Sequence, residues 1–188
     1  MLFVANRFMP DSIENYVPQL AVAQRRRQAF FIWSLFLFLV AVWVLLIALA
    51  PLAEANNYSS VAKPIYKFFG FLCHQNSARS FHLYEHAFAV CSRCFGVYFG
   101  LFLGFIIYPF LRPIEETEPL PRFWLFTAII PMAVDWLLGV FEIWENTHLS
   151  RFLTGAILGA ACAVFIVPAL VEIFGLLSDR RKVKRLSW

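Results

Sequence analysis

FFIWSLFLFLVAVWVLLIALAPL, residues 30–52, runs for 23 residues without a single charge. A helix needs about 20 consecutive apolar residues to cross the hydrocarbon core of a bilayer. This stretch therefore reads as a membrane span, and the rest of the chain is read against lipid as the solvent. The composition agrees: 61% of the residues are hydrophobic, 18% aromatic and only 15% charged, where soluble domains carry about 25% charge.

Three further stretches meet the same criterion. Cys94 to Leu111 is uncharged for 18 residues and extends backwards to about residue 88. Phe123 to Phe141 contains one charge, Asp135, and residues from Phe152 to Val171 contain none. The expectation is an all-α integral membrane protein with four transmembrane helices, over about 30–52, 88–111, 123–141 and 152–174. Pro109, Pro131 and Pro168 fall in these spans; membrane helices tolerate proline because neighbours satisfy the freed carbonyls.

Lys and Arg set the orientation. With the N-terminus inside, 11 of the 16 basic residues lie on the inner side and 5 on the outer side. Both termini are thus expected in the cytoplasm, with the protein in the inner membrane. A cytoplasmic segment 1–28 precedes a membrane domain 29–176, and a basic cytoplasmic tail 177–188 follows. This distribution accounts for the net charge of +4 without nucleic acid as a partner. Ala53-Glu54-Ala55 has the form of a signal cleavage site, but the apolar run exceeds the ~7–15 residues of a signal peptide, so the first span is expected to be retained.

Residues 59–73, SSVAKPIYKFFGFLC, carry Val61, Ile65, Phe68 and Leu72 at helical spacing, with Lys63 and Lys67 on another face. This is the pattern of a short interfacial amphipathic helix, over about 60–73 on the outer side. Ser59 or Ser60 would cap it, with Pro64 in its first turn. Gly96, Gly100 and Gly104 repeat every four residues on the second span, and Gly155, Gly159 and Ala163 do so on the fourth. Small residues at that spacing let helix backbones approach closely, so these two spans are expected to touch along them.

The segment CHQNSARSFHLYEHAFAVCSRC, residues 73–94, gathers three of the four cysteines and three of the four histidines. Under the expected topology it lies at the outer face, and His148 in the second outer loop joins it. Cys162, inside the last span, reads as a packing residue. Cys91 and Cys94 form a C-x-x-C at the head of the second span, beside Arg93. A helix N-terminus and a cation both favour thiolate. With Cys73 and one imidazole they would complete a Cys₃His site for zinc or copper. His74 is the nearest nitrogen ligand; His82 and His86 are alternatives. The same thiols could instead form a disulfide or a redox pair, since the outer side of a membrane is usually oxidising. Cys91, Cys94 and Asp135 are the candidates for chemistry. Four-helix oxidoreductases that pass electrons to quinone have this outline, but they use a second cysteine pair, and only Cys73 is left over here.

Asp135 lies inside the third span, and a carboxylate there is a functional candidate by default. Arg93 and Arg151 are its expected partners, either as a structural ion pair or as part of a proton relay or ion pathway; the same arginines would otherwise hold an anionic ligand, with Gln75, Arg79 and Asn146 as further ligand or ion-pair candidates. The second outer loop adds Glu142, Glu145, Asn146, Arg151 and Thr154, with Ser150 as the expected N-cap of the last helix.

Cys-His-Gln-Asn-Ser-Ala-Arg-Ser at 73–80, Cys-Ser-Arg-Cys-Phe-Gly at 91–96, Asp135, and Arg151 with Thr154 and Gly155 carry a resemblance to other proteins. In these residues the chain resembles a family of small prokaryotic membrane proteins known only as a domain of unknown function. The resemblance covers roughly residues 65–165. It implies one site made of Cys73, His74, Gln75, Arg79, Cys91, Arg93, Cys94, Asp135 and Arg151, and it implies no reaction. His82, His86 and His148 fall outside its motif positions. Two function classes follow: a thiol-redox or metal-binding membrane protein, or an accessory subunit of a larger membrane complex whose cysteines hold the fold. The lipid bilayer is the first partner in both, other membrane subunits the second.

Overall fold

A computed structural model describes residues 19–118 and 120–186. The expected segment 1–28 therefore lies largely outside the described residues. The elements are α1 (Gln19–Ala55), α2 (Ser59–Gly70), a 3-10 turn (Ser77–Arg79), β1 (His82–Leu83), β2 (His86–Ala87), α3 (Ser92–Leu111), α4 (Phe123–Val140) and α5 (His148–Leu186). Helices α1, α3, α4 and α5 are each long and apolar enough to cross a membrane. The protein is an all-α integral membrane protein with four such helices and one short amphipathic helix, α2.

The spanning helices differ in length for a physical reason. At 1.5 Å per residue a 30 Å hydrocarbon core takes about 20 residues. Helix α3 has 20 residues and α4 has 18, so they match it. Helices α1 and α5 have 37 and 39 residues and must project beyond it. Helix α5 runs on through the basic sequence to Leu186, so the expected tail is largely a continuation of the helix.

Helices α3 and α5 form the central pair and run parallel, both starting at the end that bears the cysteines. A methyl group at Gly96 would overlap the Phe152 carbonyl, one at Gly100 the Ala156 backbone, and one at Gly104 the Ala163 side chain. From the other helix, Gly155 sits on the Arg93 carbonyl and Gly159 on the Val97 carbonyl. Both glycine stripes thus face the same interface. Helix α1 packs on α3 and α5, and its Trp33 Nε1 donates to the Phe105 carbonyl at 2.9 Å. Helix α4 packs on α5 alone among the strongly contacting elements, with Asp135 its buried residue.

Helix α2 differs from its expected form in three ways. It starts at Ser59, so Pro64 stands in the second turn. No side chain caps it; the residue before it is Tyr58, and the Ser59 hydroxyl donates to Glu54 instead, at 3.0 Å. Its inward face is Ala62, Ile65, Tyr66 and Phe69, while Val61, Phe68 and Leu72 remain exposed. The helix has apolar side chains on two faces, and periodicity alone does not say which one meets protein and which meets lipid. The cap of α5 also differs: the Thr147 hydroxyl, not Ser150, accepts the first-turn amide, from Ser150 N at 3.1 Å.

The β1–β2 hairpin was not foreseen. Its two-residue turn holds Tyr84 and Glu85 at φ 49° and 65°, the left-handed geometry that such hairpins need. Tyr-Glu lacks the usual Asn-Gly signature; on either side of the hairpin the Phe81 and Phe88 rings pack together at 6.1 Å.

Candidate metal and anion site at the cysteine end

Two connections deliver the sulfurs. The C-terminal turn of α2 passes Cys73 inward, one turn after buried Phe69, with Cys73 N donating to the Phe69 carbonyl at 2.9 Å. The chain then folds back through the hairpin, and Cys91 caps α3 in an extended conformation, φ −65° and ψ 159°. The return leg is clamped. Gln75 Nε2 donates to the Tyr66 carbonyl at 2.7 Å and to the Ala89 carbonyl at 2.9 Å. Tyr66 OH donates to the Ala87 carbonyl at 2.6 Å. Gln75 holds a positive φ of 48° to do this. These bonds join the cysteine of α2 to the cysteines of α3.

The result is a group of three sulfurs, Cys73, Cys91 and Cys94, all within 4.8 Å of one another. Cys73 is buried and the other two are half-buried. The Cys91 amide donates to Cys73 Sγ at 3.2 Å. Ile47 and Ala50 of α1, Phe69, Ala89 and Val90 surround the group, with Trp43 and Tyr98 packed against it. The Cys91 thiol is lowered to about 5, first by the hydrogen bond from the Cys94 thiol; burial opposes this, and the Cys94 and Arg93 amides and the Cys73 thiol add to it. These contacts favour the thiolate form of Cys91.

The expected nitrogen ligand is not there. No imidazole nitrogen or carboxylate oxygen of the described residues joins the three sulfurs. His74 is exposed, because the chain turns at Gln75 immediately after it and its side chain diverges from that of Cys73. His82 Nε2 lies 3.0 Å from the Ser77 hydroxyl, and His148 Nδ1 lies 3.1 Å from the hydroxyl of buried Ser92. His86 is half-buried in β2.

The charged residues form a second group beside the first. Arg93 pairs with Asp135, whose side chain is 9% exposed. The Asn146 amide donates to the Asp135 backbone carbonyl, so the loop after α4 folds back onto that helix. Arg151 lies in the first turn of α5, close enough to feel the charges of Arg79, Arg93, Asp135 and Cys91. Arg151 makes no ion pair among the described residues, so it does not share Asp135 with Arg93 as expected. Glu142 and Glu145 are exposed. Several residues of this end were not singled out from the sequence: Ser92, Tyr66, Trp43 and Tyr98. Only Tyr98 had a readable signal, lying four residues after Cys94 on the same face of α3.

Four spanning helices with a sulfur cluster at one end define a small polytopic membrane protein. The family described as "Predicted membrane protein (DUF2085)" matches residues 73–165, and the chain belongs to it. An uncharacterized protein of Methanocaldococcus jannaschii, MJ1492, is 36% identical over 137 residues, covering 70% of this chain and 88% of that relative. An uncharacterized protein of Methanothermobacter thermautotrophicus is 35% identical over 96 residues, covering 51% of this chain and 85% of that relative. No solved structure matches the chain. The matched region contains every cysteine and arginine of the site.

Proposed function

We propose that this is a metal-binding membrane protein in which Cys73, Cys91 and Cys94 hold one soft cation, zinc or copper. The observation that carries this reading is the convergence of three sulfurs within 4.8 Å. Sulfurs bound to zinc at ~2.3 Å in a tetrahedron stand ~3.8 Å apart, so modest side-chain adjustment suffices. The Cys91 amide already donates to Cys73 Sγ, as second-shell groups do for ligating atoms. Three protein ligands leave a fourth position open, which is the pattern of a working site more than of a closed structural one. This reading puts the cysteines at the outer face with both termini in the cytoplasm, an orientation that the excess of basic residues at the other end supports.

The test is elemental analysis of protein purified in detergent without chelators, with Cys73→Ser, Cys91→Ser and Cys94→Ser alongside. About one zinc or copper per chain, lost in each variant, is expected. Retention of metal in any of the three would rule out a shared site.

A second reading is a thiol–disulfide exchanger, favoured by the lowered Cys91 thiol beside Cys94. Cys91 thiolate would attack a partner disulfide to form a mixed disulfide, and Cys94 would then attack the Cys91 sulfur, forming a Cys91–Cys94 disulfide as the partner leaves as a dithiol. A metal-free chain whose Cys91 and Cys94 cycle with a dithiol reagent would favour it. Copurification of membrane subunits in fixed ratio, with neither metal nor thiol cycling, would instead favour the accessory-subunit role.

A further inference from the structure

We propose that Arg79, Arg93 and Arg151 form a receptor for one tetrahedral oxyanion, of the phosphate or phosphodiester kind, beside the cysteine group. Arg93 is in the first turn of α3 and Arg151 in the first turn of α5. The two helices touch there, since Gly155, one turn after Arg151, sits on the Arg93 carbonyl. Arg79 lies two residues before the Phe81 ring. That ring packs on His148 and on Phe152, at 5.8 Å in each case, at the start of α5. Arg151 senses the charges of both other arginines.

Three cations gathered at one end of a helix pair repel one another unless anions stand among them. Among the described residues the only carboxylate paired with any of them is Asp135, and Arg93 takes it. Arg93 Nε is buried with no acceptor. Buried donors without acceptors are costly, so such groups point to a missing partner. Three cations against one carboxylate leave a surplus of two, and a Cys91 thiolate still leaves one. The N-termini of two long helices add further positive partial charge at this end. The surplus persists whether or not the sulfurs hold a divalent metal, because three thiolates and such an ion together carry one negative charge. Arginine forks engage oxyanions in bidentate pairs. A tetrahedral oxyanion offers acceptor oxygens in several directions, enough for the Arg93 Nε as well as the Arg79 and Arg151 guanidiniums, whereas a carboxylate fills about one fork.

The ligand has two natural sources: a free phosphate-bearing solute, or the phosphodiester of an anionic lipid. Protein in uncharged detergent and phosphate-free buffer is titrated with inorganic phosphate by calorimetry. In parallel it is placed in nanodiscs of phosphatidylcholine with and without phosphatidylglycerol, and the thermal midpoint is read. Saturable binding of phosphate identifies a free oxyanion; a rise with phosphatidylglycerol alone identifies the headgroup. In either case Arg79→Ala and Arg151→Ala should weaken the effect by about tenfold or abolish it, while Arg122→Ala, at the other end, leaves it unchanged. Arg79 is exposed, and among the described residues its side chain makes no hydrogen bond, so its loss does not threaten folding. No response to either probe, or a response that Arg79→Ala and Arg151→Ala leave intact, overturns the proposal. Metal content measured on the same samples separates the two ideas: phosphate binding by a metal-free chain would remove the metal reading and keep this one, and the reverse result would do the opposite.

Discussion

Arg93, the residue two positions after Cys91 and just before Cys94, reaches across to the buried carboxylate of Asp135 on α4. Helix α4 has no other buried side chain, and its apolar residues largely face outwards. The ion pair is therefore a tether between the cysteine end and an otherwise peripheral helix. Breaking one partner of a buried pair costs about 3–5 kcal/mol because the other charge is stranded. Asp135→Ala is expected to lower the stability of the detergent-solubilised protein by that order. The double variant Arg93→Met/Asp135→Leu should recover most of it. Equal losses in single and double variants would show that the pair is not the source.

The glycine interface makes a sharper prediction. Gly159→Leu places a side chain where the Val97 carbonyl stands, and α3 and α5 must separate to admit it. Overpacking of this kind costs about 1–3 kcal/mol or more. Gly175→Leu, on the same helix with nothing near its absent side chain, is the control and should be neutral. Thermal unfolding of the two variants side by side decides the matter.

Gln75 donates to backbone carbonyls and so clamps the two segments that carry Cys73 and Cys91. Loss of an outer-shell partner typically costs 10–100-fold in metal affinity. Gln75→Ala should weaken zinc binding by about that range, measured by competition with a chelator, while the helical content stays unchanged. An unaltered affinity would mean the clamp is dispensable.

The lowered Cys91 thiol sets a pH dependence. Its value is about 5 in the folded chain against an ordinary 9.0. Folding therefore favours the thiolate, and the resulting stabilisation is full above the ordinary value. It diminishes as pH falls from there and is gone below about 5. In metal-free protein, iodoacetamide should modify Cys91 readily at pH 6, with the rate falling through an inflection near 5. An inflection near 9, mapped by mass spectrometry to Cys91, would contradict the geometry.

Much of this was legible in the chain itself. Uncharged runs of membrane-spanning length define four helices because lipid leaves the backbone no other partner. Glycines four apart announce the contact of α3 with α5, since only bare backbone permits that approach. The C-x-x-C marks the site because its spacing puts two thiols on one helix face, and the isolated Asp135 marks it because a carboxylate is costly beside lipid. These inferences rest on periodicity and solvent, which a sequence carries locally.

What the chain alone could not decide was which groups meet. Arg93 and Arg151 were equal claimants to Asp135, and among the described residues only Arg93 pairs with it. His74 looked like the nearest ligand by number, and the left-handed turn at Gln75 leaves it exposed. The hairpin, the Gln75 clamp and the inward face of α2 depend on contacts between segments far apart in number. Local patterns say what each segment needs from its surroundings. Only the tertiary structure says which neighbour supplies it, because a side chain's partner is set by the approach of backbones that the local sequence does not encode.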